Sequence, residues 1–143
     1  MLHDVARQLR LDSDRRARAH GMTRAQWIIL VRLESQPGLS QKELAEILEV
    51  EPITVARLID RLEDRGMVER RGDPADRRVW RLHLLPPAEP VLRDIHAERE
   101  DLRRLVSAGI DAGTLHTINA GLARMKANLM AESRGRALER DVA

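Results

Sequence analysis

Apolar residues recur at helical spacing through most of the chain and alternate with polar residues in one short stretch. Two helix starts carry a capping box, in which a hydroxyl side chain accepts a hydrogen bond from the amide three residues on and the side chain there reaches back. Thr23 with Gln26 forms the first, and Ser40 with Glu43 forms the second. The apolar spacing that follows each box predicts helices over residues 24–35 and from Ser40 to near Leu48.

A further helix is predicted to begin at Pro52, because proline is favoured at the first helical position. Its apolar residues fall on one stripe: Val55, Leu58, Ile59 and Leu62. Gly66 supplies the left-handed residue that ends such a helix. Two helices joined by a tight turn are therefore followed at once by another element.

That element is predicted to be a β-hairpin with strands over residues 67–71 and 79–84. The second strand alternates, with Trp80, Leu82 and Leu84 on one face and Arg81 and His83 on the other. Between the strands, residues 72–76 read Gly-Asp-Pro-Ala-Asp, which is turn chemistry.

Longer helices flank this central region. A first helix runs to about Ala19, and a second follows Pro86 and Pro87 and runs through about Ser107, although the pattern does not fix its start. A last helix opens at Asp111 and extends to about residue 137, with apolar residues at the spacing of a helix seam. A seam needs a partner, and a monomer of this size rarely exposes such a stripe, so we expect a homodimer. The residues expected at its interface are Val5, Leu9, Leu115, Ile118, Leu122, Met125 and Leu129.

The order helix, turn, helix, hairpin is that of a winged helix-turn-helix. The predicted fold class is therefore mainly α with a small β-hairpin wing, carrying N- and C-terminal dimerisation helices. We expect one domain over residues 1–143. Its winged lobe covers 23–85, and its helical dimerisation region covers 1–20 and 87–138.

Composition narrows the class of protein. The 143 residues are 43% hydrophobic and 34% charged, which allows a folded core and excludes the profile of a disordered chain. No apolar run is long enough for a membrane span and no signal peptide is recognisable, so we expect a cytoplasmic protein with no membrane partner. The absence of cysteine removes disulfides, thiol nucleophiles and thiolate metal sites.

Charge alone says little about partners. The formal net charge is +2, and the sequence pI of 9.9 follows from a small excess of arginine in a chain with no tyrosine or cysteine to titrate above neutrality. What matters is whether arginines cluster where a nucleic-acid groove meets them. Trp27 and Trp80 are the only aromatic residues, which argues against a platform that stacks single-stranded bases.

The helix that begins at Pro52 is predicted to be the recognition helix. Thr54, Arg57 and Arg61 step by three and four on the side opposite its apolar stripe, so they project outward together. Arg57 can take a guanine edge or a phosphate in a major groove. The alternative is a solvated face on which Asp60 and neighbouring carboxylates pair with the arginines at i,i+4.

The hairpin tip carries a second basic group. A wing arginine, Arg77 or Arg78, can enter a narrow minor groove while its neighbour takes a phosphate. Asp76 would orient one guanidinium through a bidentate ion pair. The alternative is a solvated, highly charged turn.

On these residues the chain from Thr23 to Leu92 resembles the MarR family of transcriptional regulators, and in particular its SlyA branch. The motifs that carry the resemblance lie at residues 23–27, 40–45, 54–63, 66–70 and 73–78. The resemblance implies an obligate dimer with interdigitated terminal helices that binds palindromic double-stranded DNA. It also implies Thr54 and Arg57 at the major groove and Arg78 in the minor groove, with Ser40, Gln41 and Arg77 near phosphates. The full set of expected DNA-binding residues is Ser40, Gln41, Ile53, Thr54, Arg57, Arg61, Asp76, Arg77 and Arg78.

Two departures from the family pattern stand out. Leu85 and the two prolines after it replace the usual N-cap of the long helix, which is why its start is open. Glu49 and Glu51 bring negative charge next to the recognition helix, and we expect them to point sideways or to exclude some DNA sequences.

The resemblance also implies a small aromatic carboxylate or related metabolite as effector. Trp27 with Arg7 and Arg10 can form such a site, although Trp27 also fits a plain core position and the arginines a solvated one. The five histidines show no metal-ligand spacing, so we expect no metal and no cofactor. No motif supports an enzyme. Two other functions stay open: a ligand-independent architectural or anti-silencing DNA-binding protein, and a dimeric module whose winged helix binds protein.

Overall fold

The structure is a computed structural model that describes residues 1–142, with side chains to residue 133. It contains six helices and one hairpin in this order: α1 (Leu2–Ala19), α2 (Arg24–Ser35), α3 (Gln41–Leu48), α4 (Pro52–Asp64), β1 (Val68–Gly72), β2 (Trp80–Leu84), α5 (Ala88–Ser107) and α6 (Ala112–Val142). The predicted fold class is confirmed. None of the helices formed by the described residues is long and apolar enough to cross a membrane.

Both predicted capping boxes are present and set the starts of α2 and α3. The Thr23 hydroxyl accepts from the Gln26 amide at 3.2 Å, and the Gln26 side chain accepts from the Thr23 amide at 2.9 Å. Ser40 and Glu43 make the same pair of bonds at 3.2 and 2.7 Å. The first turn of a helix leaves four backbone amides without an intrahelical acceptor. Each capping box provides acceptors for two of these amides, which fixes the start of the helix at these residues.

Helix α4 begins with Pro52 and ends in a left-handed glycine, as the sequence predicts. Gly66 has a φ of 66°, a conformation that costs glycine nothing because it has no Cβ. The following amide, that of Met67, donates to the Leu62 carbonyl at 2.9 Å and closes the helix end. The chain then passes directly into β1.

The hairpin pairs in the register Val68 with Leu84 through Gly72 with Trp80. Each strand begins one residue later than the alternation predicts, because ladder pairing and not side-chain pattern sets the ends. Trp80 shares a face with Leu82, as predicted, but Leu82 is fully buried while Trp80 is exposed. The outer edge of β2 is also covered, since the Leu82 amide donates to the Leu39 carbonyl at 3.0 Å. This contact ties the start of α3 to the wing.

The long helix α5 begins at Ala88, after the two prolines, and the last helix runs to Val142, beyond the predicted residue 137. Asp111 starts α6 by accepting from the Thr114 amide at 3.0 Å. This contact and the Thr114 hydroxyl bond lower the pKa of Asp111.

By its internal contacts the chain forms two compact units, Met1–Arg99 and Glu100–Ala143. The first contains the hydrophobic core, to which α1, α2, α3, α4, both strands and the early part of α5 contribute. Its largest fully buried side chains are Ile29, Leu30, Leu33, Leu44, Val55, Ile59, Leu62, Val68, Leu82 and Ile95. The second contains the end of α5 and all of α6, and its apolar side chains are largely exposed as far as residue 133.

Candidate functional site

Helix α4 presents one apolar and one polar face, as the spacing predicts. Its apolar stripe is buried or half-buried, and Val55, Ile59 and Leu62 are fully enclosed. Thr54, Arg57 and Arg61 are exposed on the opposite side, and Ile53 is exposed one residue before Thr54. The structure therefore brings the predicted recognition residues of this helix to one outward surface.

The arginines of that surface are free to bind a partner. Among the residues whose side chains the structure describes, neither Arg57 nor Arg61 has a hydrogen bond or an ion pair. The alternative in which they pair with carboxylates of their own helix is not what the structure shows, because Asp60 pairs with Arg70 instead, at 2.7 Å. Arg65, one turn further on, donates to the Gly21 carbonyl at 3.2 Å and so takes part in the fold.

Arg70 joins three elements of the winged lobe. From β1 its guanidinium donates to the Gln41 side-chain oxygen at 2.8 Å, to Asp60 and to Glu63. It thus links the N-terminus of α3, the recognition helix and the wing, and its side chain is only 21% exposed. Arg70 is not among the site residues predicted from the sequence. The signal was available in the alternation of β1, where an arginine occupies an inward position two residues after Val68.

The N-terminus of α3 offers hydrogen-bond donors in a fixed orientation. Because the Gln41 side-chain oxygen accepts from Arg70, the amide nitrogen of that side chain can donate to another partner. The Ser40 hydroxyl accepts the cap bond from the Glu43 amide. Hydrogen bonds from the Ser40 backbone amide and hydroxyl lower the pKa of Glu43, so its carboxylate stays ionised at the helix start.

The loop between the strands is organised by Asp73. Its carboxylate accepts from the amides of Ala75 and Asp76 at 2.7 and 3.3 Å and pairs with Arg81 at 2.7 Å. These bonds, that with Arg81 foremost, lower the pKa of Asp73. Arg81 also reaches Glu43 at 3.2 Å, which connects the wing loop to the cap of α3.

Asp76 holds Arg78 at the wing tip in the predicted bidentate arrangement. Nε and Nη2 of Arg78 donate to the two carboxylate oxygens at 3.1 and 3.2 Å. The bonds from Arg78 lower the pKa of Asp76. The Arg78 side chain is nevertheless 90% exposed, so the pair orients it without covering it. Arg77 is exposed, with no ion pair or hydrogen bond to any side chain the structure describes.

The glutamates that depart from the family pattern border the recognition helix. Glu49 ends α3 in a left-handed conformation with φ of 55°, and Glu51 is the residue before Pro52. Together with Lys42 and Thr54 they line an open groove between α3 and the start of α4. Negative charge therefore lies beside Thr54, as expected, within one mixed-charge groove.

The three residues predicted to hold an effector are not joined by contacts. Trp27 is 6% exposed and belongs to the core, where its ring lies 5.7 Å from that of His20. Its indole nitrogen is buried without a hydrogen-bond partner among the described residues. Arg7 and Arg10 are exposed on α1, and neither contacts Trp27 through a hydrogen bond or ion pair between described side chains.

The predicted dimerisation residues are largely accessible in the single chain. In α1, Val5 is exposed and Leu9 half-buried. In the unit formed by residues 100–143, Leu115 is half-buried, and the remaining members of the seam are exposed: Ile118, Leu122, Met125 and Leu129. No group of three or more metal-ligating side chains occurs in the described part of the chain.

Comparison with known proteins identifies the family of this chain. The model of the MarR family matches residues 20–79. The crystal structure of transcriptional regulator PA3341 is 35% identical, covers 91% of this chain and 96% of its own, and superposes with a TM-score of 0.80. The transcriptional regulator SlyA is 27% identical over 92% of both chains, with a TM-score of 0.80.

A third structure, of a MarR-family protein from Listeria monocytogenes in complex with a 26mer DNA, is 24% identical and superposes with a TM-score of 0.80. The match covers 92% of this chain and 90% of that one. MarR-family regulators are DNA-binding proteins and not enzymes. The winged lobe, the matched residues and these structural relatives together show that this chain belongs to the MarR family of transcriptional regulators.

Proposed function

We propose that the protein is a homodimeric regulator that binds a pseudo-palindromic double-stranded DNA operator in the cytoplasm. The proposal rests on three features of one winged lobe. Arg57 and Arg61 are exposed on the recognition helix without a partner among the described side chains, the Gln41 side chain is held by Arg70, and the exposed Arg78 is held by Asp76. Hydrogen-bond donors on a helix suit the major groove of DNA, and donors on a wing suit the adjoining minor groove.

The roles of the arginines can be separated by binding measurements. We expect Arg57→Ala to cost about 1 to 3 kcal/mol of operator affinity and to relax the base preference at one position per half-site. Arg78→Ala should weaken binding without favouring a new base and should reduce the salt dependence of binding. Arg93 on α5, an exposed arginine outside the predicted DNA-binding set, is the control with the same change of charge. Parent-like binding by both variants would refute the proposal.

The exposed apolar seam of α6 supports the dimer. Covering it needs an interface of the obligate type, above roughly 2,000 Å² in total. Two recognition helices related by a two-fold axis should then meet major grooves roughly 34 Å apart. Selection from random duplexes should return two half-sites at that spacing. A single asymmetric half-site, or a monomer at micromolar concentration in solution scattering, would contradict the dimer.

A small aromatic carboxylate or related metabolite is proposed to relieve DNA binding. The buried indole nitrogen of Trp27, which has no acceptor, is the feature that supports an effector here, with Arg7 and Arg10 as further residues of the site. Titration with salicylate as the probe should quench Trp27 fluorescence and raise the Kd for the operator. A Kd that is unchanged at millimolar salicylate favours the alternative of a ligand-independent architectural or anti-silencing DNA-binding protein.

The third function, a winged helix that binds protein, predicts a different response to salt. A phosphate-binding dimer must lose affinity for random duplex DNA steeply as salt rises, because binding releases condensed counterions. A flat salt dependence, or the absence of duplex binding, would favour the protein-binding module.

A further inference from the structure

The two tryptophans of this chain occupy opposite environments. Trp27 is buried in the core, whereas Trp80, the first residue of β2, is 52% exposed. A single exposed apolar residue is ordinary on a protein surface and needs no explanation by itself. Trp80 differs because of where the hairpin places it.

The hairpin core ends before it reaches Trp80. Leu82, two residues further along the same face, is fully buried, but the residue paired with Trp80 across the ladder is Gly72. Gly72 has no side chain to cover the ring, and a Cβ built there would have no atom within 4 Å. Among the described side chains, none makes a ring contact or hydrogen bond with the Trp80 indole. The fold thus leaves the indole uncovered.

The face that carries Trp80 is the one turned towards the recognition helix. Residues paired across an antiparallel ladder share a face, so Trp80 lies on the same side as Arg70, which is paired with Leu82. The Arg70 side chain reaches Asp60 and the Ala56 carbonyl of α4. Trp80 is therefore on the α4 side of the wing, two residues from the exposed guanidinium of Arg78.

We propose that Trp80, between the recognition helix and the wing tip, contacts the sugar-phosphate backbone of duplex DNA. In this role it is an uncharged anchor, which holds the protein on the backbone without an ion pair. An indole offers a flat apolar face that can pack on a deoxyribose and one N–H that can donate to a phosphate oxygen. Contacts of this kind position a protein on DNA without reading sequence. The inference rests on the proposed DNA binding and assigns a role to a residue outside the expected DNA-binding set.

An uncharged anchor has a distinct signature. Removing a cation that neutralises a phosphate lowers both the affinity and its dependence on salt, whereas removing an indole should lower the affinity alone, because no counterion is released. We expect Trp80→Ala to weaken binding about tenfold at every salt concentration, and Trp80→Phe, which keeps a ring and loses the N–H, to weaken it less.

The test uses the full chain and the duplex recovered by selection with the parent protein. Affinities of Trp80→Ala, Trp80→Phe and Arg78→Ala are measured across a salt series, with His83→Ala on the opposite face of β2 as control. Acrylamide quenching of the parent protein gives a second readout, because the accessible emission comes from Trp80. Duplex binding should protect that emission, and circular dichroism should show that each variant is folded.

The outcomes separate this inference from the proposed function. If the parent protein binds no duplex, the proposed function fails. If the parent binds and Trp80→Ala binds equally well, or if Trp80 stays equally open to acrylamide in the complex, only the anchor is refuted. If Trp80→Ala instead changes the oligomeric state in light scattering, Trp80 belongs to a contact between protein chains and the anchor is likewise refuted.

Discussion

Replacing Arg70 by alanine should destabilise the winged lobe more than any other single change to an arginine of the hairpin. The side chain is 21% exposed and bonds Gln41, Asp60 and Glu63. The Asp60 carboxylate is 61% exposed, so that pair adds little, about 0.5 kcal/mol. The bonds to the better covered Glu63 and to Gln41 should contribute about 1 to 1.5 kcal/mol each. Together these contacts predict a total loss of about 2.5 to 3.5 kcal/mol.

Arg71 is the matched control for this change. It is the next residue of β1, loses the same charge on substitution, and pairs with Glu69 of the same strand while its side chain is 57% exposed. Arg71→Ala should therefore cost less than about 0.5 kcal/mol. Unfolding in denaturant at one fixed protein concentration, followed by circular dichroism, measures both variants. Equal free energies of unfolding for the two would refute the assigned role of Arg70.

Arg70 should also affect duplex binding indirectly. Its guanidinium donates inward to α3 and α4, so we expect Arg70→Ala to weaken operator binding while the salt dependence stays as in the parent. A reduced salt dependence would mean that Arg70 contacts phosphate itself. A double-mutant cycle with Gln41→Ala isolates the orienting bond, and its coupling energy should be about 1 kcal/mol.

Three further changes test other contacts. Ser40→Ala removes the cap of α3 and should cost about 1 kcal/mol in thermal unfolding, and a cost near zero would show that the cap does not stabilise the lobe. Hydrogen bonds from His20, and then from Arg16, lower the pKa of Glu98 in the folded protein. The ionised carboxylate therefore stabilises the fold at pH values above its unfolded pKa of about 4.3, and this stabilisation is lost as the pH falls through the pKa of the folded state. Glu98→Gln should therefore lower the free energy of unfolding by about 1 to 2 kcal/mol at pH 7. In denaturant titrations this difference from the parent protein should shrink below about pH 4, and a difference that does not depend on pH would contradict the assignment. Leu122→Glu should dissociate the proposed dimer in sedimentation experiments, and an intact dimer would exclude this residue from the interface.

The elements of the fold could be predicted because their signals are local. A capping box spans four residues, and a proline at the start of a helix or a glycine at its end is a single residue. Ser40 with Glu43, Pro52 and Gly66 could therefore be recognised from the local sequence alone. The outward face of α4 followed from its 3.6-residue period in the same way.

Contacts between distant segments could not be read in this way. The partners of Arg70 lie 7, 10 and 29 residues away, on two helices whose relative position depends on the packed core. The bond from the Leu82 amide to the Leu39 carbonyl has the same character, since nothing in either segment marks it. The alternation pattern could not predict that Trp80 is exposed. It predicts on which face of a strand a side chain lies, but not how far the hydrophobic core extends beneath that face.

Some arginines of the winged lobe are bound within the protein and others are exposed without a partner among the described side chains. This difference explains how a chain with a small net charge can bind DNA, which is a polyanion. Arg70 and Arg81 are matched by carboxylates within the winged lobe, and Arg65 is held by a carbonyl, so these cations contribute to the fold. Arg57 and Arg77 have no such partners among the described side chains. Counterion release depends on cations that reach phosphates and not on net charge. If the arginines proposed to bind DNA do so, the formal charge of +2 understates the attraction of the protein for DNA. Affinity for DNA should therefore respond to the few unpaired arginines far more than to changes elsewhere among the 25 cations.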